Sequence, residues 1–429
     1  MLEEFIHYIW ENKLFFKENL KTTDGEPLEI IDTGKRNYDS GPDFFNAKIK
    51  INQTLWAGNV EIHKKASGWN SHKHFNDKAY DNVILHVVEE NDIQICRNNG
   101  TKIATLIIDW PEYYNNNYIK LIKSRTWIPC QDQFHNIDPL FIKLGYHELM
   151  IERLQDKTNQ IHNIMEKNRH NWNETFYQIL ARMLGFKINS VPFELLAKLI
   201  PLKILFKHKN SLFQLESLLF GASGMLNDEI SGDDYYLDLR KEYNFLRKKY
   251  KLKTIENHLW KFMRLRPANF PSIRISQLAA LIYHTDGLFS KIITIENLND
   301  LQKLFRVRAS DYWNSHYRFN IPAPHSCSKV IGNASINVII INVVIPFLFV
   351  YGENQNQFHL KDRALTFLEE LPPENNSIIR KWKKLGVDPQ SAFETQALLQ
   401  LKTIYCERKK CLNCQIGNKL IKAIPKRRK

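Results

Sequence analysis

The chain has 429 residues, 43% hydrophobic, 12% aromatic and 25% charged, with 16 Gly and 16 Pro, which excludes a disordered, collagen-like or low-complexity protein. At roughly 100–200 residues per domain it holds two to four domains, or a small one followed by a large one. Six cysteines are too few for a disulfide scaffold, and 60 Lys+Arg against 46 Asp+Glu leave a net charge of +14.

That charge is uneven. From Lys402 to Lys429 there are ten basic residues and one acid, Glu407, so this tail carries +9 and the other 401 residues only +5. A basic tail suits a polyanion, and nucleic acid is the expected partner. A solvated terminus in a chain rich in Lys, Asn and Ile is the plainer explanation. Acids at Glu3 and Glu4 stand where a secretory signal carries lysines. The longest apolar run, Ile336 to Val350, has 15 residues and contains Asn337, Asn342 and Pro346; a membrane span needs about 20. A soluble, cytoplasmic protein with no membrane partner is expected.

In chain order, Leu2, Phe5, Ile6, Ile9 and Trp10 predict an amphipathic opening helix. Short strand-like runs follow at Leu28–Thr33, Phe44–Ile51, Leu55–His63, Asn82–Val88, Ile93–Cys96 and Ile103–Ile108. Turn residues separate them, among them Ser40-Gly41-Pro42-Asp43 and Asn98-Asn99-Gly100. From about residue 138 helical spacing dominates: Leu149–Lys167, Glu174–Leu184, Pro192–Ile200, Phe213–Leu219, Asp234–Tyr250, Ser276–Tyr283, Ile293–Phe305, Ile336–Val350, Asp362–Leu371 and Phe393–Tyr405. The expected fold is an α/β (or α+β) domain over 1–135 with a small, mainly antiparallel or mixed sheet, then a large all-α domain over 136–429.

The chemistry concentrates in the first domain. Alternation along Leu55–His63 puts Val60 and Ile62 on one face and Glu61 and His63 on the other. If Phe44–Ile51 pairs with this strand, Asp43 meets Glu61 and His63 at one sheet edge. Two carboxylates so placed suit Mg²⁺ or Mn²⁺, leaving open positions for water and phosphate, with His63 orienting the water. Accessory candidates are Lys64, His72, His74 and Asp77, the histidines also permitting Zn²⁺ or Mn²⁺. His86, in the apolar run Val83–Val88, reads either as a residue of the polar face or as a satisfied core histidine. A surface hairpin with a turn-capping Asp43 is the plain alternative to the whole set.

Gly41-Pro42-Asp43 followed by Glu61-Ile62-His63 resembles the PD-(D/E)xK nuclease superfamily, with His63 where that superfamily usually has lysine. The resemblance implies a restriction-endonuclease-like core, a metal on Asp43 and Glu61, and an extra helix carboxylate at Glu4 or Glu11. Along nearly its whole length the chain also resembles an uncharacterised bacterial family, domain of unknown function 2851. The blocks are Gly41-Pro42-Asp43-Phe44, Gly58-Asn59-Val60-Glu61-Ile62-His63, Trp69 with His72-Lys73-His74, Val83-Ile84-Leu85-His86-Val87-Val88, Leu218-Leu219-Phe220-Gly221, Arg266–Pro271 and Tyr405-Cys406 with Cys411-Leu412-Asn413-Cys414. That family brings no activity with it.

Two further groups stand out. Arg264, Arg266 and Arg274 flank Pro267–Pro271 and offer phosphate contacts, or else a plain turn with Phe270 packed inward. Cys406, Cys411 and Cys414 form a Cys-x4-Cys-x2-Cys run suited to Zn²⁺ or an iron–sulfur cluster, with Cys327 first and Cys130 second as the missing ligand. Buried thiols that close a turn explain the run equally well. No Walker, Rossmann or kinase motif occurs, so no nucleoside triphosphate is expected. The expected function is a metal-dependent nuclease or a nuclease-derived nucleic-acid-binding protein. The alternatives are a non-catalytic adaptor that binds protein or nucleic acid through the α domain, and a small-phosphoester metallohydrolase using His72 and His74.

Overall fold

The computed structural model describes residues 3–226 and 232–425. It divides into two compact units, Met1–Ile142 with Leu401–Lys429, and Lys143–Gln400. The cysteine-bearing C-terminal segment thus groups with the first unit.

In that unit helix α1 (Glu3–Glu11) buries Phe5, Ile6, Ile9 and Trp10, the apolar stripe read from the sequence. Phe5 stacks on Tyr118 of helix α2 (Glu112–Lys123) with ring centroids 5.0 Å apart, and Trp10 Nε1 donates to the Thr33 carbonyl at 3.0 Å. The strands are β1 (Leu28–Asp32), β2 (Lys35–Arg36), β3 (Phe44–Ile51), β4 (Thr54–Lys65), β5 (Val83–Glu90) and β6 (Thr105–Ile107). Their order is β1-β3-β4-β5-β6, with β2 beside the start of β3.

The sheet is mixed. β1, β3 and β4 form an antiparallel meander, whereas β4, β5 and β6 run parallel. Parallel neighbours need a crossover, and residues 66–82 supply one between β4 and β5. Ile93–Cys96, expected as a strand, makes only an isolated bridge, Cys96↔Lys102, because the Asn98-Asn99-Gly100 turn folds it back on itself. Asn52 turns the β3–β4 hairpin in the left-handed region, φ 53°.

β3 alternates as its sequence says, with Ala47, Ile49 and Ile51 buried against exposed Asn46, Lys48 and Lys50. β4 does not. From Gly58 to His63 both of its faces are buried, with α1 and the turn Gly68–Ser71 packed against it. The face carrying Glu61 and His63 is therefore an interior one.

The second unit is helical, built from Tyr146–Lys167, Trp172–Leu184, Ser190–Leu199, Leu212–Ala222, Asp234–Tyr250, Pro271–His284 and the later helices Phe358–Glu370 and Ala392–Gln400. Ile293–Phe305, expected as one helix, is two, because Asn297 caps the second by accepting the Asp300 N–H at 2.8 Å. A short hairpin, His316–Arg318 with Ile321–Pro322, was not foreseen. The helical stretch Asn333–Asn354 is long and apolar enough, by length and composition, to cross a membrane. It contains a π-helical turn at Ile340–Val344, and 67% of its most apolar window is buried inside the protein. That burial is what a core helix of this unit shows.

Candidate metal site on the sheet

Strand register brings the predicted pair together. Phe44 lies opposite Val60, and a bulge between Phe44 and Ala47, with Asn46 at φ 57°, bends the strand start over β4. Asp43 Oδ2 accepts the Ile62 N–H at 2.9 Å, and the Asp43 N–H donates to Glu61 Oε2 at 3.1 Å. Each acid is thus held by the other's strand.

Glu61 is 4% exposed, His63 2% and His86 0%. Burial first, then the Asp43 charge, pushes the Glu61 carboxyl up to about 9. Burial, followed by the neighbouring imidazoles His86, His74 and His72, pulls His63 down to about 3. His86 is likewise pulled to about 3, chiefly by burial. These imidazoles are neutral across the physiological range, the form that binds a metal.

Around Glu61 the histidines close in. Glu61 Oε1 lies 3.1 Å from His74 Nε2 and 3.7 Å from His63 Nε2. His63 Nε2 is 3.2 Å from His72 Nδ1, and His63 Nδ1 is 2.8 Å from His86 Nε2. The metal-binding atoms of His63, His72 and His74 all lie within 4.8 Å of one another, the one such group of His, Cys or carboxylate atoms among the described residues. His72 is exposed, so the group opens outward. Strand register sets His86 opposite Glu61 on β5, and His86 Nδ1 is buried without a hydrogen-bond partner. If His63 Nδ1–H donates to His86 Nε2, the Nε2 lone pair of His63 faces His72 and His74, the orientation a ligating histidine takes from a supporting partner.

The opening helix adds two groups. Glu3 and His7, one helical turn apart, lie on the site side of α1, rather than the expected Glu4 or Glu11. His7 Nε2 sits 3.2 Å from Asp43 Oδ2, while its Nδ1 lies 3.3 Å from Arg36 Nη2. A guanidinium can only donate, so Nδ1 accepts, while Nε2 is buried beside Asp43 without a hydrogen-bond partner. Glu3 is raised, chiefly by burial, with His7, Asp43 and His72 as neighbours. Glu11 pairs with Arg36 at 3.7 Å instead. The i, i+4 spacing of Glu3 and His7 is the sequence signal for this polar face.

Other expected residues are engaged otherwise or are exposed. Asp77 accepts the Ala79 N–H at 2.9 Å and caps a short turn, and Lys64 is exposed. Arg274 is buried and spends its guanidinium on Gln277 at 2.9 Å, Asn269 at 2.6 Å and Ser335 at 2.9 Å. It braces its helix and presents nothing to a phosphate, while Arg264 and Arg266 are exposed. Cys327 belongs to the second unit, is exposed, and has Lys329 Nζ 3.0 Å from its sulfur.

One glycine is bound to this geometry. A Cβ on Gly68 would meet His63 Cδ2 at 2.6 Å. Gly68→Ala is expected to push the His63 ring from its place and to cost about 1–3 kcal/mol, read as a lower urea midpoint at unchanged m-value. An unchanged midpoint means the ring is free to move and the site is loosely held.

Residues 3–377 match the family described as "Protein of unknown function (DUF2851)", and the chain belongs to that family. The match contains every residue of the sheet site and ends before Cys406. No curated protein and no solved structure matches the chain.

Proposed function

We propose that this family member is a divalent-metal-dependent phosphodiesterase that acts on nucleic acid, with its centre at Glu61, His63, His72 and His74. The observation that carries the reading is the convergence of three histidines, His63, His72 and His74, beside the buried carboxyl group of Glu61, next to an Asp43–His7 pair. Imidazole-rich donors fit Mn²⁺ or Zn²⁺ better than Mg²⁺, which prefers oxygen ligands and keeps its waters. A bound metal supplies Lewis acidity and an acidified water.

The chain's own groups do the rest. Asp43, fixed by the Ile62 N–H, stands 3.2 Å from His7 Nε2, and that nitrogen, without a hydrogen-bond partner, can orient a water or the scissile phosphate. Arg36 stands behind His7 as a cation for the phosphate charge. Placing Asp before one strand and Glu-x-His on its neighbour supports a PD-(D/E)xK-like origin, with His63 in the place of the lysine. The net charge of +14 favours a polyanionic substrate. The end of the basic tail, Lys426–Lys429, lies outside the described residues.

The test is labelled single- and double-stranded DNA and RNA incubated with the purified protein in Mn²⁺, Zn²⁺, Mg²⁺ or EDTA. Cleavage with Mn²⁺ or Zn²⁺ that EDTA abolishes is expected. Salt-sensitive binding without cleavage in any metal transfers the protein to the adaptor reading. Turnover of small phosphoesters alone makes it the small-substrate hydrolase that the histidine-rich donor set also suits.

A further inference from the structure

Four of the six cysteines lie near one another in the first unit. Cys130 ends the segment after α2 and begins the turn Gln131–Asn136, while Cys406, Cys411 and Cys414 come from the C-terminal segment. That segment is stitched to the region around Cys130 by several independent contacts. Asn117 Nδ2 donates to the carbonyls of Leu420 at 3.2 Å, Ile421 at 3.1 Å and Ala423 at 2.9 Å. Lys409 Nζ donates to the Ile122 carbonyl, Lys402 Nζ lies 5.5 Å from the Trp127 ring, and Lys419 Nζ lies 4.2 Å from the Phe141 ring.

We propose that Cys130, Cys406, Cys411 and Cys414 form a four-thiolate centre for a thiophilic metal, one Zn²⁺ or one iron–sulfur cluster. The inference is independent of the hydrolase reading, and it replaces Cys327 by Cys130 as the fourth ligand.

Several features fit a metal better than a cluster of inert thiols. Burial first, then the nearness of the other thiols, raises Cys130, Cys406 and Cys411, with Cys414 and Cys411 beside Cys130 and the other three beside Cys406, so these crowded thiols give up their protons to a bound cation rather than to water. Burial raises the Cys414 thiol, and the nearby backbone N–H groups of Ile416 and Gly417 act against that rise. A Cβ on Gly417 would meet the Cys411 carbonyl oxygen at 2.1 Å, so only glycine lets the Cys411–Gly417 turn fold this tightly. Lys402, itself buried and paired with Glu407 at 3.1 Å, stands beside Cys406, and Lys409 beside Cys411. Four thiolates on one divalent ion leave a double negative charge, which such cations offset.

The spacing bears on which metal. No three of these sulfurs lie within 4.8 Å of one another. A tetrahedral zinc with bonds of about 2.3 Å draws its sulfurs to roughly 3.8 Å apart, and an iron–sulfur core fills a wider cage. Cys-x4-Cys-x2-Cys with a distant fourth cysteine is a spacing that iron–sulfur sites use. Either metal ties Cys130 to a segment more than half the chain away and couples its own binding to folding.

The deciding experiment uses full-length protein purified anaerobically. Iron, acid-labile sulfide and zinc are measured together with the visible spectrum, in wild type, Cys130→Ser, Cys327→Ser and His72→Ala. Iron with matching sulfide and a thiolate charge-transfer absorption identifies the cluster. About one equivalent of zinc, lost in Cys130→Ser but kept in His72→Ala and Cys327→Ser, identifies the zinc site. Should Cys130→Ser fail to fold, Co²⁺ added to metal-free wild type reports the same ligands through its thiolate-to-cobalt band. Six freely titratable thiols with neither metal, or a zinc, iron and sulfide content in Cys130→Ser equal to that of wild type, overturn the proposal.

Discussion

Glu61→Gln is expected to lower metal-dependent cleavage by about 10²–10⁴-fold while leaving the fold intact. Glutamine keeps an oxygen to accept the Asp43 N–H but cannot become a carboxylate when a metal arrives. Because Glu61 is interior and raised to about 9, the amide also resembles the neutral acid it replaces near pH 7. Glu61→Ala is the poorer test. It leaves the Asp43 N–H without its acceptor in a buried place and costs about 1–3 kcal/mol by that route. Wild-type cleavage by Glu61→Gln, measured with Mn²⁺ at saturating substrate, removes the chemistry from this strand.

The second large effect is on stability against pH in the metal-free protein, followed by urea unfolding in EDTA. His63 and His86 have folded values depressed to about 3 from 6.5. The unfolded chain then binds more protons between those limits, so stability falls as pH drops from about 6.5 toward 3. Glu61 has a folded value raised from 4.5 to about 9. It contributes stability that is complete below 4.5 and is lost as pH climbs through 9. Between 4.5 and 6.5 two histidine protons outweigh one glutamate proton, and above 6.5 only the glutamate term remains. These three groups together place a stability maximum near pH 6.5. At about 1.4 kcal/mol per proton and pH unit, the alkaline limb amounts to a few kcal/mol. Glu61→Gln should flatten that limb and leave the acid limb in place. An alkaline limb of the same slope in the variant means that Glu61 ionises normally in the folded protein.

Local pattern was enough for much of this protein. The helix α1, the strand Phe44–Ile51 with its alternation, and the helix Asp234–Tyr250 are legible because each rests on near-neighbour spacing of apolar residues. The meeting of Asp43 with Glu61 was legible too, since a hairpin with a two-residue turn leaves little freedom of register. What the sequence could not carry is what lies across a crossover. β5 pairs in parallel with β4, and only that pairing sets His86 opposite Glu61. Only the turns between residues 66 and 80 bring His72 and His74 back onto β4. Burial was decided at the same level: an alternating strand reads as half exposed until its second face is covered, and covering it turned Glu61 from a surface acid into an interior one. The cysteines follow the same rule. Cys-x4-Cys-x2-Cys is local and visible by inspection, but which distant cysteine shares its unit is not. Packing puts Cys130, and not Cys327, in that unit, because contact between distant segments depends on the summed packing of everything between them and on no local spacing.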